Sequence, residues 1–159
     1  MQEFNRKSDP RQSLIKYAAG ILSARPYFRS KLREKLFLRA EKLGFDDPGK
    51  IIDSILNDLS KSGYMDDKYL AEAYVRRQLS KGYGPKIISL KLKYLGLDSQ
   101  TVTDSIKSQA FEESEVASIR SFCDKNSRYE QGKLISKLYQ RGYTSLSIKK
   151  VFDSEWSEG

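Results

Sequence analysis

The 159-residue chain has no histidine and a single cysteine, Cys123. Triads of the Ser-His-Asp kind are therefore excluded, zinc loses its usual ligands, and one thiol closes no intrachain disulfide. Cys123 is expected to be a small buried residue in a protein of a reducing compartment. Long apolar runs are also missing. None approaches the ~20 residues of a membrane-spanning helix, and Met1 to Lys7 lead into no signal-like core, so a cytoplasmic location is expected. What remains is a composition that folds, with 38% hydrophobic and 31% charged residues and well-spread aromatics. Twenty-nine Lys and Arg against twenty-one Asp and Glu leave a net charge of +8, which favours an anionic partner such as nucleic acid or an acidic protein surface.

Five times a glycine is followed at once by a large apolar residue: Gly44-Phe45, Gly63-Tyr64, Gly82-Tyr83, Gly96-Leu97 and Gly142-Tyr143. A helix commonly ends in a left-handed residue, which glycine adopts without a Cβ clash, and the next apolar residue folds back on the last turn. The stretches around Gly96 and Gly142 match at a constant offset of 46 residues, Ile88-x3-Leu92-x3-Gly96-Leu97-x4-Val102-x3-Ile106 against Leu134-x3-Leu138-x3-Gly142-Tyr143-x4-Ile148-x3-Phe152. Leu32-x3-Leu36, one extra turn, Gly44-Phe45 and the apolar run Ile51 to Leu59 supply a third copy. The expected fold is all-α: an elongated, right- or left-curved array of tandem three-helix repeats with about nine short helices. The divisions expected are a tail over 1–12, repeats over 13–63, 64–110 and 111–155, and a tail over 156–159.

Local signals support this reading. Pro26 ends the first helix beyond Ala24, and the second carries Phe28, Leu32, Leu36, Ala40 and Leu43 on one side. Asp47 before Pro48 predicts the N-cap of the third helix, and Asp66 or Asp67 that of the fourth. Pro85 opens a helix with Ile88, Leu92 and Leu95 inward, and Asp98 caps the next. In the third repeat Val116, Ile119 and Phe122 define one helix, Asn126 replaces the glycine stop, and Gly132 weakens the helix bearing Leu134 and Leu138.

Chemistry can be tested against these placements. Gly44-Phe-Asp-Asp-Pro-Gly-Lys50 fits seven positions of a phosphate loop, but Ile51 ligates no magnesium, Pro48 lacks an amide donor and the two aspartates repel phosphate. A helix stop followed by a helix start explains the segment better. The pairs Asp46-Asp47 and Asp66-Asp67 read as caps rather than cation sites, and most of the ten tyrosines read as packing residues, with Tyr27 and Tyr83 kept as candidates beside basic turns. No cofactor or metal is expected, and an enzyme ranks last for want of a nucleophile or cofactor loop.

The block Gly63-Tyr64-Met65-Asp66-Asp67-x-Tyr69-x-Ala71-x-x-Tyr74-Val75-Arg76, followed by Lys81-Gly82-Tyr83-Gly84-Pro85-x-x-Ile88-x3-Leu92-x3-Gly96-Leu97, resembles the RecX family of recombination regulators. The resemblance is strongest from Arg25 to about Leu97. It implies a small cytoplasmic protein without a catalytic site that lies along the groove of a RecA filament on single-stranded DNA. It further implies restraint of RecA's ATP hydrolysis, strand exchange and coprotease activity. Against the family pattern, Phe28 and Lys31 stand where a Ser and a Glu are common, and Lys91 stands where a Glu is usual. A four-residue insertion also lengthens the second helix.

Basic density recurs with the repeat: seven Lys or Arg against two Glu over 25–42, seven against one over 68–93, and eight against two over 120–150. The candidate contacts to RecA or DNA are Arg76, Arg77, Lys81, Lys86, Lys91 and Lys93 of the second repeat. Arg29, Arg33, Lys133, Lys137 and Arg141 extend the surface in the flanking repeats. Their expected role is electrostatic, in a monomer that engages RecA and single-stranded DNA and no membrane. The alternative is a stand-alone DNA-binding helical protein, although no segment reads as a recognition helix rich in base-reaching Arg, Asn and Gln.

Overall fold

A computed structural model describes residues 9–110 and 112–156. Most of the tail expected over 1–12, and residues 157–159 of the other, lie outside the described residues. Every regular element among those described is helical: α1 (Pro10–Ala24), α2 (Arg29–Lys42), α3 (Gly49–Lys61), α4 (Asp67–Ser80), α5 (Pro85–Tyr94), α6 (Ser99–Gln109), α7 (Glu112–Lys125), α8 (Gln131–Gln140) and α9 (Ser145–Trp156). The 46-residue offset survives folding, because α5 and α8 are both ten residues long and begin 46 residues apart.

All five glycines of the helix-stop pattern have positive φ, between 72° and 87°. At Gly44 the full capping motif is formed, with Phe45 N–H donating to the Ala40 carbonyl at 3.1 Å and Gly44 N–H to the Glu41 carbonyl at 3.0 Å. Asp98 caps α6 as expected, accepting the Thr101 amide at 2.9 Å and its hydroxyl at 2.7 Å, which holds the Asp98 carboxyl below the usual range.

The described residues form two compact units that divide after Asp67. In the first, α1, α2 and α3 pack on one another around Leu14, Ala18, Leu32, Leu36, Ile52 and Leu56, all fully buried. Three arginines tie this layer to the polar side of α3. Arg11 reaches Ser54 at 3.0 Å and Asp58 at 2.7 Å; Arg29 reaches Asn57 at 2.7 Å; Arg33 reaches Asp53 at 3.0 Å. Asp53 and Asp58 of α3 are thus met by cations of their own unit.

In the second unit α5 packs on α6, while α9 packs on α7 and α8 around Ile119, Leu138, Tyr143, Ile148 and Val151. Two turns lock together there. Gly84 N–H donates to the Arg141 carbonyl at 2.7 Å, and Lys86 N–H donates to the Gly142 carbonyl at 3.0 Å. The backbones approach so closely that a Cβ on Gly84 would overlap Gly142 and Tyr143, and one on Gly142 would lie 2.5 Å from Ile87 Cγ1. Beneath the contact the Tyr143 hydroxyl and Ser118 Oγ are 2.6 Å apart, and Ser118 Oγ donates to the Leu79 carbonyl at 2.9 Å. Buried Glu115 accepts the Thr144 amide at 2.7 Å and its hydroxyl at 2.8 Å, joining α7 to the start of α9.

Several local expectations are corrected. The N-terminal cap of α3 is Pro48 and not Asp47, which sits at φ 42° because the chain must reverse between Gly44 and Gly49 and aspartate tolerates the left-handed region. Asp67 is the first residue of α4, and its carboxylate accepts the Arg29 amide at 2.9 Å, supplying α2 with the cap that Phe28 cannot give. Asn126 follows α7 as expected but stays at negative φ; its side-chain amide instead donates to the Phe122 carbonyl at 2.8 Å. Gly132 lies in the first turn of α8, where it disturbs little, and α1 starts at Pro10, inside the expected tail. Leu43 is 40% exposed because it is the C-cap of α2 rather than part of its inward face. Cys123 is half-buried at the edge of the α7–α9 core.

The turn-on-turn contact makes a measurable distinction between two glycines of the same unit. Gly82, at φ 85°, has only ordinary contacts around a Cβ, so Gly82→Ala should cost about 1–2 kcal/mol from the left-handed conformation alone. Gly142→Ala carries that cost and must also displace Ile87, adding about 1–3 kcal/mol. Urea denaturation followed by circular dichroism should therefore give the lower midpoint for Gly142→Ala; equal midpoints would remove the contact's special role.

Candidate interaction surfaces

The expected site residues fall into three settings. Lys86 and Lys93 lie on the exposed face of α5, about two helical turns apart, with Leu90 and Tyr94 between and beside them. Leu90 is 62% and Tyr94 86% exposed, which for side chains of this size marks a surface feature rather than a frayed edge. Arg77 is exposed on α4 near Tyr74, whose phenol is pushed up by burial and only partly offset by that guanidinium.

The second setting is a cleft of about 600 Å³ within the second unit, walled by the end of α4 and its turn on one side and by α7 on the other. Arg76, Lys81 and Arg141 line it together, brought to one place by the locked turns although 65 positions separate the first from the last. Lys125, absent from the expected set, is a fourth cation there. Arg76 donates to Gln109 Oε1 at 2.7 Å, and Arg141 donates to the Lys81 carbonyl at 3.4 Å while its guanidinium lies 5.3 Å from the Phe122 ring centre and 5.2 Å from that of Tyr83.

In the third setting the cation is held by the protein's own aromatic or polar groups. Arg29 and Arg33 are turned to α3 as described, and Arg33 also lies 4.7 Å from the Phe37 ring centre. Lys91 donates to buried Gln78 at 2.9 Å and sits 3.5 Å from the Tyr83 ring centre. Lys133 and Lys137 lie 4.6 and 4.8 Å from the ring centre of Tyr129. These pairings form a series: Lys35 over Tyr27, Lys91 over Tyr83 and Lys137 over Tyr129, each lysine eight positions beyond its tyrosine. The signal was present in the sequence as Tyr-x7-Lys in register with the repeat. The expectation that packing explains most tyrosines fails for Tyr64, Tyr69, Tyr94 and Tyr139, all exposed.

These surfaces set the tyrosines apart electrostatically. A hydrogen bond from Arg128, with the charges of Arg128 and Lys137, holds the Tyr129 phenol below the ordinary value, and Arg25 does the same to Tyr27. Burial pushes the Tyr143 phenol up, with the bond to Ser118 opposing in part.

No three His, Cys, Asp or Glu among the described residues converge as a metal site, and no described helix is long and apolar enough to cross a membrane. Fold and surfaces together define a helical-repeat protein whose candidate sites are cationic faces and a cationic cleft. Regulatory protein RecX of Geobacillus thermodenitrificans (strain NG80-2) is 29% identical over 148 residues, covering 89% of this chain and 54% of that protein. Regulatory protein RecX of Stenotrophomonas maltophilia (strain R551-3) is 33% identical over 104 residues, covering 65% and 60% respectively. The crystal structure of RecX from Lactobacillus salivarius matches the fold with a TM-score of 0.73 at 22% identity, over 92% of this chain and 97% of that one. No family model matches. The chain spans about half the length of the curated relatives it matches. In sequence it is similar to these RecX proteins, and in fold to the solved RecX structure.

Ultraviolet titration of the phenols tests the electrostatic assignment. Tyr129→Phe should remove part of the early-ionising absorbance and Tyr143→Phe part of the late one. The raised Tyr143 value has a stability consequence of definite sign. The unfolded chain releases that proton first, so Tyr143 contributes a loss of stability as pH rises through the ordinary tyrosine range, and Tyr143→Phe should flatten that alkaline decline. An unchanged decline would place its origin elsewhere.

Proposed function

We propose that this protein binds the RecA filament on single-stranded DNA and restrains it, slowing ATP hydrolysis, strand exchange and coprotease activity, in the cytoplasm where such filaments form. The reading starts from the resemblance of Gly63 to Leu97 and the similarity to proteins named regulatory protein RecX. The observation that carries it further is the face of α5. Lys86, Leu90, Lys93 and Tyr94 form a ridge in which cations flank exposed apolar groups. A phosphate backbone gains from the cations and nothing from the leucine. A protein surface with carboxylates around an apolar patch gains from both.

On this reading the ridge takes the protein partner, and the cations of α4, α7 and α8 lie toward whatever anionic surface adjoins it. The three-helix repeats over 13–63, 64–110 and 111–155 are the units that register with a repeating filament.

The deciding measurement is RecA ATP hydrolysis on single-stranded DNA as the protein is titrated in at fixed salt. Half-inhibition should fall at concentrations too low to coat the DNA. Lys86→Glu combined with Lys93→Glu should raise the half-inhibiting concentration about tenfold or more, equivalent to roughly 1.4 kcal/mol of binding, with helicity unchanged. Inhibition only at DNA saturation, or an unimpaired double variant, would overturn the assignment.

A further inference from the structure

We infer that the cleft between α4 and α7 is a phosphate site that seats the backbone of a single strand of nucleic acid. This deepens the reading of the protein as a filament regulator, and rests on it only in taking DNA as the strand.

Four cations converge there, Arg76, Lys81, Lys125 and Arg141, and no carboxylate is among the described residues that line it. In a chain with twenty-one Asp and Glu, four cations gathered without a lining anion are an electrostatic commitment, because each raises the cost of placing the next unless an anion arrives. Serines complete the lining: Ser80 and Ser118 donate to the carbonyls of Arg76 and Leu79, and Ser121 is left as an exposed hydroxyl on the wall. Hydroxyl and guanidinium donors are the usual company of phosphate oxygens. The cations are also positioned in advance. Arg141 is fixed by the Lys81 carbonyl and two aromatic rings, and Arg76 by Gln109. Less side-chain freedom is then lost on binding.

A strand is favoured over a free phosphate because the cleft has a neighbour. A second hollow of about 320 Å³ shares Phe122, Asn126 and Arg141 with it and adds Tyr83, Lys137 and Gln140. Arg141 thus stands between a hydroxyl-lined cationic hollow and one with an aromatic edge and amide groups. A chain that alternates phosphate with base can use both, since bases stack on aromatic and guanidinium planes. Inorganic phosphate uses only the first.

The test is fluorescence anisotropy of a labelled oligothymidylate with the full chain and no RecA present, so that failure here leaves the filament reading standing and failure of ATPase inhibition leaves this one standing. Lys81→Ala with Lys125→Ala should weaken binding about tenfold and lower the slope of log affinity against log salt by about 1.4, the value for two single-strand phosphate contacts. Lys107→Ala with Lys149→Ala removes equal charge from exposed positions on α6 and α9 and should change affinity less than about threefold. Ser121→Glu, which adds a carboxylate to the wall without removing a structural contact, should weaken binding at least as much as the cleft pair. Equal losses for the two lysine pairs would reduce the effect to net charge. Displacement of the oligonucleotide by inorganic phosphate or dATP at matched phosphate concentration would assign the cleft to free phosphates. Displacement by polyglutamate at matched charge would assign it to an acidic protein segment, and any of these three results overturns the proposal.

Discussion

The second unit depends on two glycine turns pressed backbone to backbone. Gly84 and Gly142 stand where a side chain would collide with the opposing turn, and two amides cross the gap to the carbonyls of Arg141 and Gly142. Backbone bonds of this kind are short and geometrically exacting, so they fix α5 against the α8–α9 turn. The Tyr143–Ser118–Leu79 chain extends the same constraint to α7 and the end of α4. That is why Arg76, Lys81 and Arg141 share a cleft: the contact that closes the unit also assembles its cationic surface.

Charge in this protein is sorted by use. Arg11, Arg29 and Arg33 hold α3 to its own unit, and their partners are the Asp53 and Asp58 carboxylates, the Ser54 hydroxyl and the Asn57 amide oxygen on the polar side of α3. Lys91, Lys133 and Lys137 place their ammonium groups over tyrosine rings, where the ring's negative face attracts them. Only after these are set aside do the cleft and the α5 ridge emerge as the places where cationic character faces outward. Net charge alone points to an anionic partner; its distribution separates an apolar-cationic ridge suited to protein from a hydroxyl-cationic cleft suited to phosphate.

Much of the fold was legible in the sequence because its determinants are local. A left-handed glycine followed by an apolar residue is a short-range instruction, and all five instances end helices as read. The 46-residue register, the Asp98 cap and the helix start at Pro85 are likewise decided within one or two turns of chain. Where the reading missed, a distant partner had intervened. Asp47 yielded its cap position to a tight reversal, and α2 takes a side-chain acceptor from Asp67, 38 residues away, that no local signal announced.

The candidate surfaces show the same division more sharply. That residues 68–93 and 120–150 are basic, and that α5 carries lysines, follows from the sequence, as does the resemblance to the RecX family through the Gly63 to Leu97 block. Which cations face a partner did not follow. Lys91 and Lys86 sit on the same helix, yet one is bonded to Gln78 over a tyrosine ring and the other stands exposed. Lys125 joined the cleft unannounced, since helical spacing specifies a face but not what that face meets. Helix ends and repeat length were set by the sequence through bonds spanning a few residues. The grouping of charges was decided only in three dimensions, by two glycine turns whose close approach no periodicity encodes.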